Sequence, residues 1–206
     1  MADRKHGHAP PPTESTLRGL DWYGEDLSGQ THTRVAFVEI DLTEAIVQNA
    51  TFTECTFRGV KFNASAHTDA AFINCTFVQC GFFDVAFAGC KLVGSMFDGC
   101  AYDLMTVAGG DWSFVGLPGA DLRRTKFEGV RMREADLTGA RLDGGSFRRV
   151  DLSGAWLAKA SMLGSDLRGS DLTALDPLTV ALAGAIIDVD QACVLAARLG
   201  LDVRAE

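Results

Sequence analysis

The chain has no stretch approaching the ~20 consecutive apolar residues of a membrane span. Its opening residues, Met-Ala-Asp-Arg-Lys-His-Gly-His, lack the apolar run of a secretory signal. Six cysteines are present, but no paired short-range spacing marks a disulfide framework, so the expected compartment is a reducing cytoplasm. No Walker loop, Gly-x-Ser-x-Gly, Cys-x-x-Cys or His-Glu-x-x-His appears. The expectation is therefore a protein without enzymatic activity, cofactor or metal. Positive charge is also short: 19 Lys and Arg face 27 Asp and Glu, a formal charge of −8. That balance argues against direct nucleic-acid binding and favours a basic partner surface.

What is present is a core in search of a period. Apolar residues make up 47% of the chain, too many for disorder, and 206 residues suffice for one domain with a substantial core. Residues 1–16, with Pro10, Pro11 and Pro12 in succession, read as a flexible tail. From there a large residue recurs every five positions without insertion. The run includes Leu27, His32, Phe37, Leu42, Val47, Phe52, Phe57 and Phe62, and ends with Met162, Leu167 and Leu172. Two residues before each centre sits a small residue, such as Ala50, Cys55, Cys75, Cys80, Val85, Cys90, Ala135 or Ser165.

Residues two apart face the same way only in an extended strand. Five is odd, so both registers stay inside only if the chain turns a corner once per repeat. Glycine is frequent two residues after the centre, at Gly59, Gly89, Gly129 and Gly139 for example, where a tight turn would want it. A corner every five residues closes a coil, and stacked coils bury a continuous core. A helix would need a period near 3.6, which neither register shows.

Ala120-Asp121-Leu122, Ala135-Asp136-Leu137-Thr138-Gly139 and Ser165-Asp166-Leu167-Arg168-Gly169 closely resemble the consensus of the pentapeptide-repeat family. The resemblance spans roughly residues 20–175, in about thirty repeats. It implies an all-β, right-handed quadrilateral β-helix with four repeats per coil, here over residues 17–175. Residues twenty apart would then stack, with Phe57 between Phe37 and Phe77, and Phe62 between Leu42 and Phe82. About eight coils rising by ~4.8 Å give a rod of ~38 Å. His32 and His67 fall at inward centres and are expected to be buried, neutral and hydrogen-bonded. Cys55, Cys75, Cys80, Cys90 and Cys100 are expected to be small core residues, although the Cys55–Cys75 and Cys80–Cys100 pairs stack within disulfide range. Leu104–Gly110, where Met105 takes a small position and two glycines follow, is expected to form a bulge or bend.

Repeat character stops near Asp176-Pro177, leaving residues 176–206 as a cap and dimerisation segment. Asp188 and Gln191 are spaced as a capping pair at the start of a short apolar helix, which Gly200 ends. That helix is apolar on more than one side, which suggests burial against a second copy across a two-fold axis. The expected dimer contacts are Leu182, Ile186, Ile187, Val189, Cys193, Val194, Ala197 and Leu201. Through Gly184-Ala185 and Ile187–Ala192 this tail resembles the MfpA-like subgroup, which implies quinolone resistance and binding to DNA gyrase or topoisomerase IV in place of DNA. The outward aspartates Asp121, Asp136, Asp151, Asp166 and Asp171 are the expected gyrase-facing carboxylates. The charge pattern is uneven, since residues 17–116 carry 12 acids and 5 bases while residues 117–175 are rich in arginine. The competing reading is a general protein-interaction scaffold with no topoisomerase target.

Overall fold

A computed structural model describes residues 11–204. The chain winds as a parallel β-solenoid in which residue i pairs with residue i+20 throughout, and one short α-helix, Val189–Arg198, follows. Four sheets run along the rod, one per side of the coil. The longest has six strands, from Ile46–Gln48 to Ser146–Arg148. On that side eight successive pairings join Asp26 to Ile46 and so on up to Asp166 and Ile186. Eight strand spacings of ~4.8 Å make the rod ~38 Å long.

The corner residue is what lets a five-residue period close. Two positions after nearly every centre the backbone is left-handed, with φ between 50° and 75° at this position from Arg34 to Gly184, Arg124, Ala174 and Thr179 excepted. Glycine fills many of these corners, and fifteen others carry a side chain, none of them β-branched. Left-handed φ costs an L-residue roughly 1 kcal/mol, and a branched Cβ makes it worse. The same corner N–H bonds to the next coil, as from Gly59 to the Val78 carbonyl at 2.9 Å, so the turn and the stacking are one device.

The inward centres form the expected ladders. Phe37, Phe57, Phe77 and Phe97 stack at ring-centroid spacings of 4.8, 4.9 and 4.6 Å, and Phe62 lies 4.9 Å from Phe82. Rings on adjacent sides meet edge-on or tilted, as for Phe52 and Phe57 at 5.6 Å, so the two sets interlock. Above the fully buried Trp112 the core turns mainly aliphatic, with Leu117, Leu122, Met132, Leu137 and Leu142, while Phe127 and Phe147 stack at 5.1 Å on one side.

Two boundaries and one local feature differ from the sequence reading. Ser15–Arg18 is already a strand paired with Val35–Val38, so the coil begins inside the expected tail of residues 1–16, because Ser15 and Leu17 continue both registers. The part of that tail before residue 11 lies outside the described residues. At the other end the coil outlasts residue 175. Ala181 pairs with Ser161 and Ile186 with Asp166, while Pro177 occupies only a turn. Leu104–Gly110 holds no bulge, since Thr106–Ala108 pairs in register with strands on both sides. Met105 is buried, and the departure is confined to Gly110 at φ 87°, where a Cβ would stand 2.1 Å from the Cys90 carbonyl oxygen.

His67 is fully buried, stacked 4.8 Å from Phe87, with its Nε2 2.8 Å from the Ser65 hydroxyl. Burial pushes its pKa down from 6.5 to about 3. The unfolded chain therefore binds one more proton than the folded chain between these values, so stability falls as pH drops through that window. Relative to pH 7, wild type should lose about 2 kcal/mol at pH 5 through this group. His67→Phe should remove that loss in urea titrations; parallel pH slopes for the two proteins would rule the account out. A second test isolates the corner. Gly139, at φ 66°, has open space where a Cβ would go. Gly139→Val should cost about 1–2 kcal/mol and Gly139→Asn much less, by thermal unfolding.

Candidate interaction surface

Because both inward registers fill the core, only three positions in five face outward. The first precedes the centre, and the fold itself uses the aspartates placed there. Asp121, Asp136, Asp151, Asp166 and Asp171 each accept, through Oδ1, the backbone N–H two residues on. Asp21, Asp26, Asp41 and Asp111 do the same. Aspartate thus closes the turn as an Asx cap, and every repeat with Asp at this position takes a tight turn instead of a three-residue strand.

The five expected aspartates are not brought to one side. In the twenty-residue coil, Asp121, Asp136 and Asp166 fall on three different sides, and Asp151 and Asp171 share the fourth. Three of them are also ion-paired. Arg123 and Arg141 meet Asp121, Arg133 donates to Asp151 at 2.5 Å, and Arg168 and Arg148 meet Asp166. The Arg168 guanidinium holds the Asp166 carboxyl down at about 2.

The arginines of the C-terminal half work mainly between coils. Arg124–Asp103, Arg131–Asp111, Arg141–Asp121 and Arg149–Glu128 each span one coil step. Exposed pairs of this kind contribute little stability each, but they neutralise the carboxylates they hold. Acids without an ion pair among the described residues occur along the whole rod, from Glu25, Glu44, Glu54, Asp69 and Asp84 in the lower coils to Glu134, Asp143, Asp171 and Asp176 in the upper ones. No cluster of metal-ligating side chains occurs among the described residues, and no helix there is long and apolar enough to cross a membrane.

The C-terminal end is the second candidate surface. The capping box forms as expected: Gln191 N donates to Asp188 Oδ1 at 3.0 Å, and Asp188 N donates to Gln191 Oε1 at 2.9 Å. Gln191 has a further role that its local spacing did not reveal. It is buried, and its Nε2 donates to the Leu167 and Ser170 carbonyls, both at 2.7 Å, pinning the helix across the last full coil. Arg198 also donates to the Thr173 carbonyl. Of the expected dimer contacts, Leu182, Ile187 and Val194 are half-buried against the chain itself. Ile186, Val189, Cys193, Ala197 and Leu201 stay exposed, Val189 to 77%. Leu178, Leu199 and Val203 join the same exposed end, unforeseen because they follow neither the five-residue register nor one helix face.

The family of pentapeptide repeats matches residues 26–59, 117–154 and 146–176, and a related pentapeptide repeat region matches residues 50–127. Together they run unbroken over most of the chain, which belongs to the pentapeptide-repeat proteins. No curated protein matches it. Among solved structures it is similar to a trypsin-treated variant of QnrB1, a plasmid-mediated fluoroquinolone resistance protein. Identity is 22% over 94% of this chain and 97% of that one, with a TM-score of 0.46. HetL, a heterocyst-differentiation regulator from the cyanobacterium Nostoc, is 21% identical over 85% and 84%, with a TM-score of 0.29.

The turn caps predict a specific sensitivity. Asp151→Ala should cost about 1–2 kcal/mol in denaturant unfolding, because it leaves the Ser153 N–H and Arg133 without their acceptor. Asp151→Asn should cost less, and Glu54→Gln, at a free carboxylate, should change stability by under about 0.5 kcal/mol. Equal costs for the three would contradict the cap.

Proposed function

We propose that this protein is a DNA mimic that binds DNA gyrase, or topoisomerase IV, and protects it from quinolones or a gyrase-directed toxin. The observation that carries this reading is the concentration of exposed apolar residues at the C-terminal end, Leu178, Ile186, Val189, Leu199 and Leu201, on an acidic rod whose other exposed apolar residues, such as Phe83 and Phe114, are scattered. Exposed apolar residues gathered at one end of a rod favour burial against a second copy across a two-fold axis. Two rods joined there would span ~80 Å, about the length of 23 base pairs at 3.4 Å per step. Such a dimer would carry twice the chain's formal charge of −8, opposite in sign to a DNA-binding groove. The unpaired acids, Glu25, Glu44, Glu54, Asp69 and Asp84, are better placed to meet cations than the aspartates committed to turns. Asp171 remains a secondary candidate, since no ion pair holds it among the described residues, whereas Asp136 is buried.

The purified protein should inhibit gyrase supercoiling and reduce quinolone-stabilised cleavage of DNA. Val189→Asp combined with Leu201→Asp should give a monomer by light scattering and weaken inhibition by about tenfold or more, since avidity is lost. No effect of wild type at micromolar excess would sink the topoisomerase reading and leave the scaffold one.

A further inference from the structure

Two pairs of inward cysteines stack on successive coils, and the two pairs differ in access. Cys80 Sγ donates to the Phe57 carbonyl at 3.4 Å, and Cys100 Sγ makes the same contact with the Phe77 carbonyl, one coil on, at 3.5 Å. Phe57 and Phe77 are register partners with rings 4.9 Å apart, so the two thiols are held one strand spacing apart in identical orientations. A spacing of ~4.8 Å lies within the Cα range of a disulfide but just beyond the usual Cβ range, so closing the bond requires both side chains to rotate out of their parallel orientation and the two coils to approach slightly. Cys55 and Cys75 repeat the arrangement on the neighbouring corner, through the His32 and Phe52 carbonyls. Both of those are sealed, at 1% and 0% exposure, and Cys80 is at 2%, whereas Cys100 is partly exposed.

We propose that Cys80 and Cys100 form a redox-modification site in which a peroxide oxidises Cys100 and Cys80 resolves it into a disulfide joining two coils. The thiolate of Cys100 attacks one peroxide oxygen; an S–O bond forms, the O–O bond breaks, and hydroxide leaves and takes up a proton as water. The Cys80 sulfur then attacks the Cys100 sulfur; the S–S bond forms, the S–O bond breaks, and the departing hydroxide leaves as a second water with the proton of Cys80. The two thiols lose two electrons and the peroxide gains them. A dithiol reductant reverses the step by exchange.

The roles follow from access and hydrogen bonding. The contact from Cys80 holds the Cys100 thiol below its ordinary pKa, with Tyr102 adding to it, while Cys80 is pushed up by that same contact and by burial. Reactivity needs both thiolate character and exposure. Cys55 is lowered to about 7 by Cys75, yet no oxidant reaches it, so access separates the two pairs.

The test treats the native full chain with dilute hydrogen peroxide, alkylates remaining thiols and maps the peptides by mass spectrometry. The expected product is a Cys80–Cys100 cross-link exceeding any Cys55–Cys75 cross-link by about tenfold or more. Cys100→Ser, tolerated because Ser95 fills an equivalent position, should abolish the cross-link. Cys80→Ala should leave Cys100 to run on to sulfinic acid. Oxidised wild type should also melt at a higher temperature than reduced protein, with no such shift in Cys100→Ser. Recovery of Cys100 as a free thiol, or as sulfinic acid in wild type with Cys80 still reduced, would overturn the proposal.

Discussion

Everything in this rod depends on a left-handed corner once in five residues. The corner turns the chain through a side of the square, and its N–H simultaneously bonds to the coil above, as from Gly139 to the Ala158 carbonyl at 2.9 Å. Turning and stacking therefore cannot be separated. Fifteen corners accept a side chain in a conformation that favours glycine. What offsets that cost is the core, where each centre stacks on the same kind of residue at the strand spacing and touches rings on the adjacent sides.

This economy limits what evolution can vary. Two of five positions go to the core and one to the corner. Of the two left, the position before the centre is taken by an Asx cap wherever it holds aspartate. Arginines over the C-terminal half are then drawn into pairs between coils. The surface open to a partner is consequently much smaller than the exposed area suggests. It consists of the carboxylates outside ion pairs, which carry most net charge in the lower coils, and of the exposed apolar residues beside the helix.

The core was legible because a strict period leaves one arrangement: Phe57 between Phe37 and Phe77, Cys55, Cys75, Cys80 and Cys90 inside, His67 buried beside Ser65. The capping box of Asp188 and Gln191 was legible because both partners lie within one helical turn. The bonds from Gln191 to Leu167 and Ser170 were not, since they cross more than twenty residues and no period announces them. Gly110 was misread for a related reason. A double glycine is compatible with a bulge, and only the approach of the Cys90 carbonyl makes it a close-contact site within an unbroken ladder. The aspartates were the hardest case, because a consensus acid looks the same whether it caps a turn or meets a partner.

That ambiguity bears on how an acidic rod would be recognised. If two rods meet at their helices, the coils nearest the junction are those in which Asp121, Asp151 and Asp166 already hold arginine. The excess of carboxylates over bases lies toward the far ends, where residues 17–116 carry 12 acids and 5 bases. Charge would then be offered as two separated acidic regions flanking a mixed middle, rather than as an even line like a phosphate backbone. A basic groove contacting such a dimer would gain most of its attraction at the two ends, with the middle setting length and rigidity. Rigidity is what the interlocked core supplies, and it makes the spacing between the two acidic regions a property of the coil count.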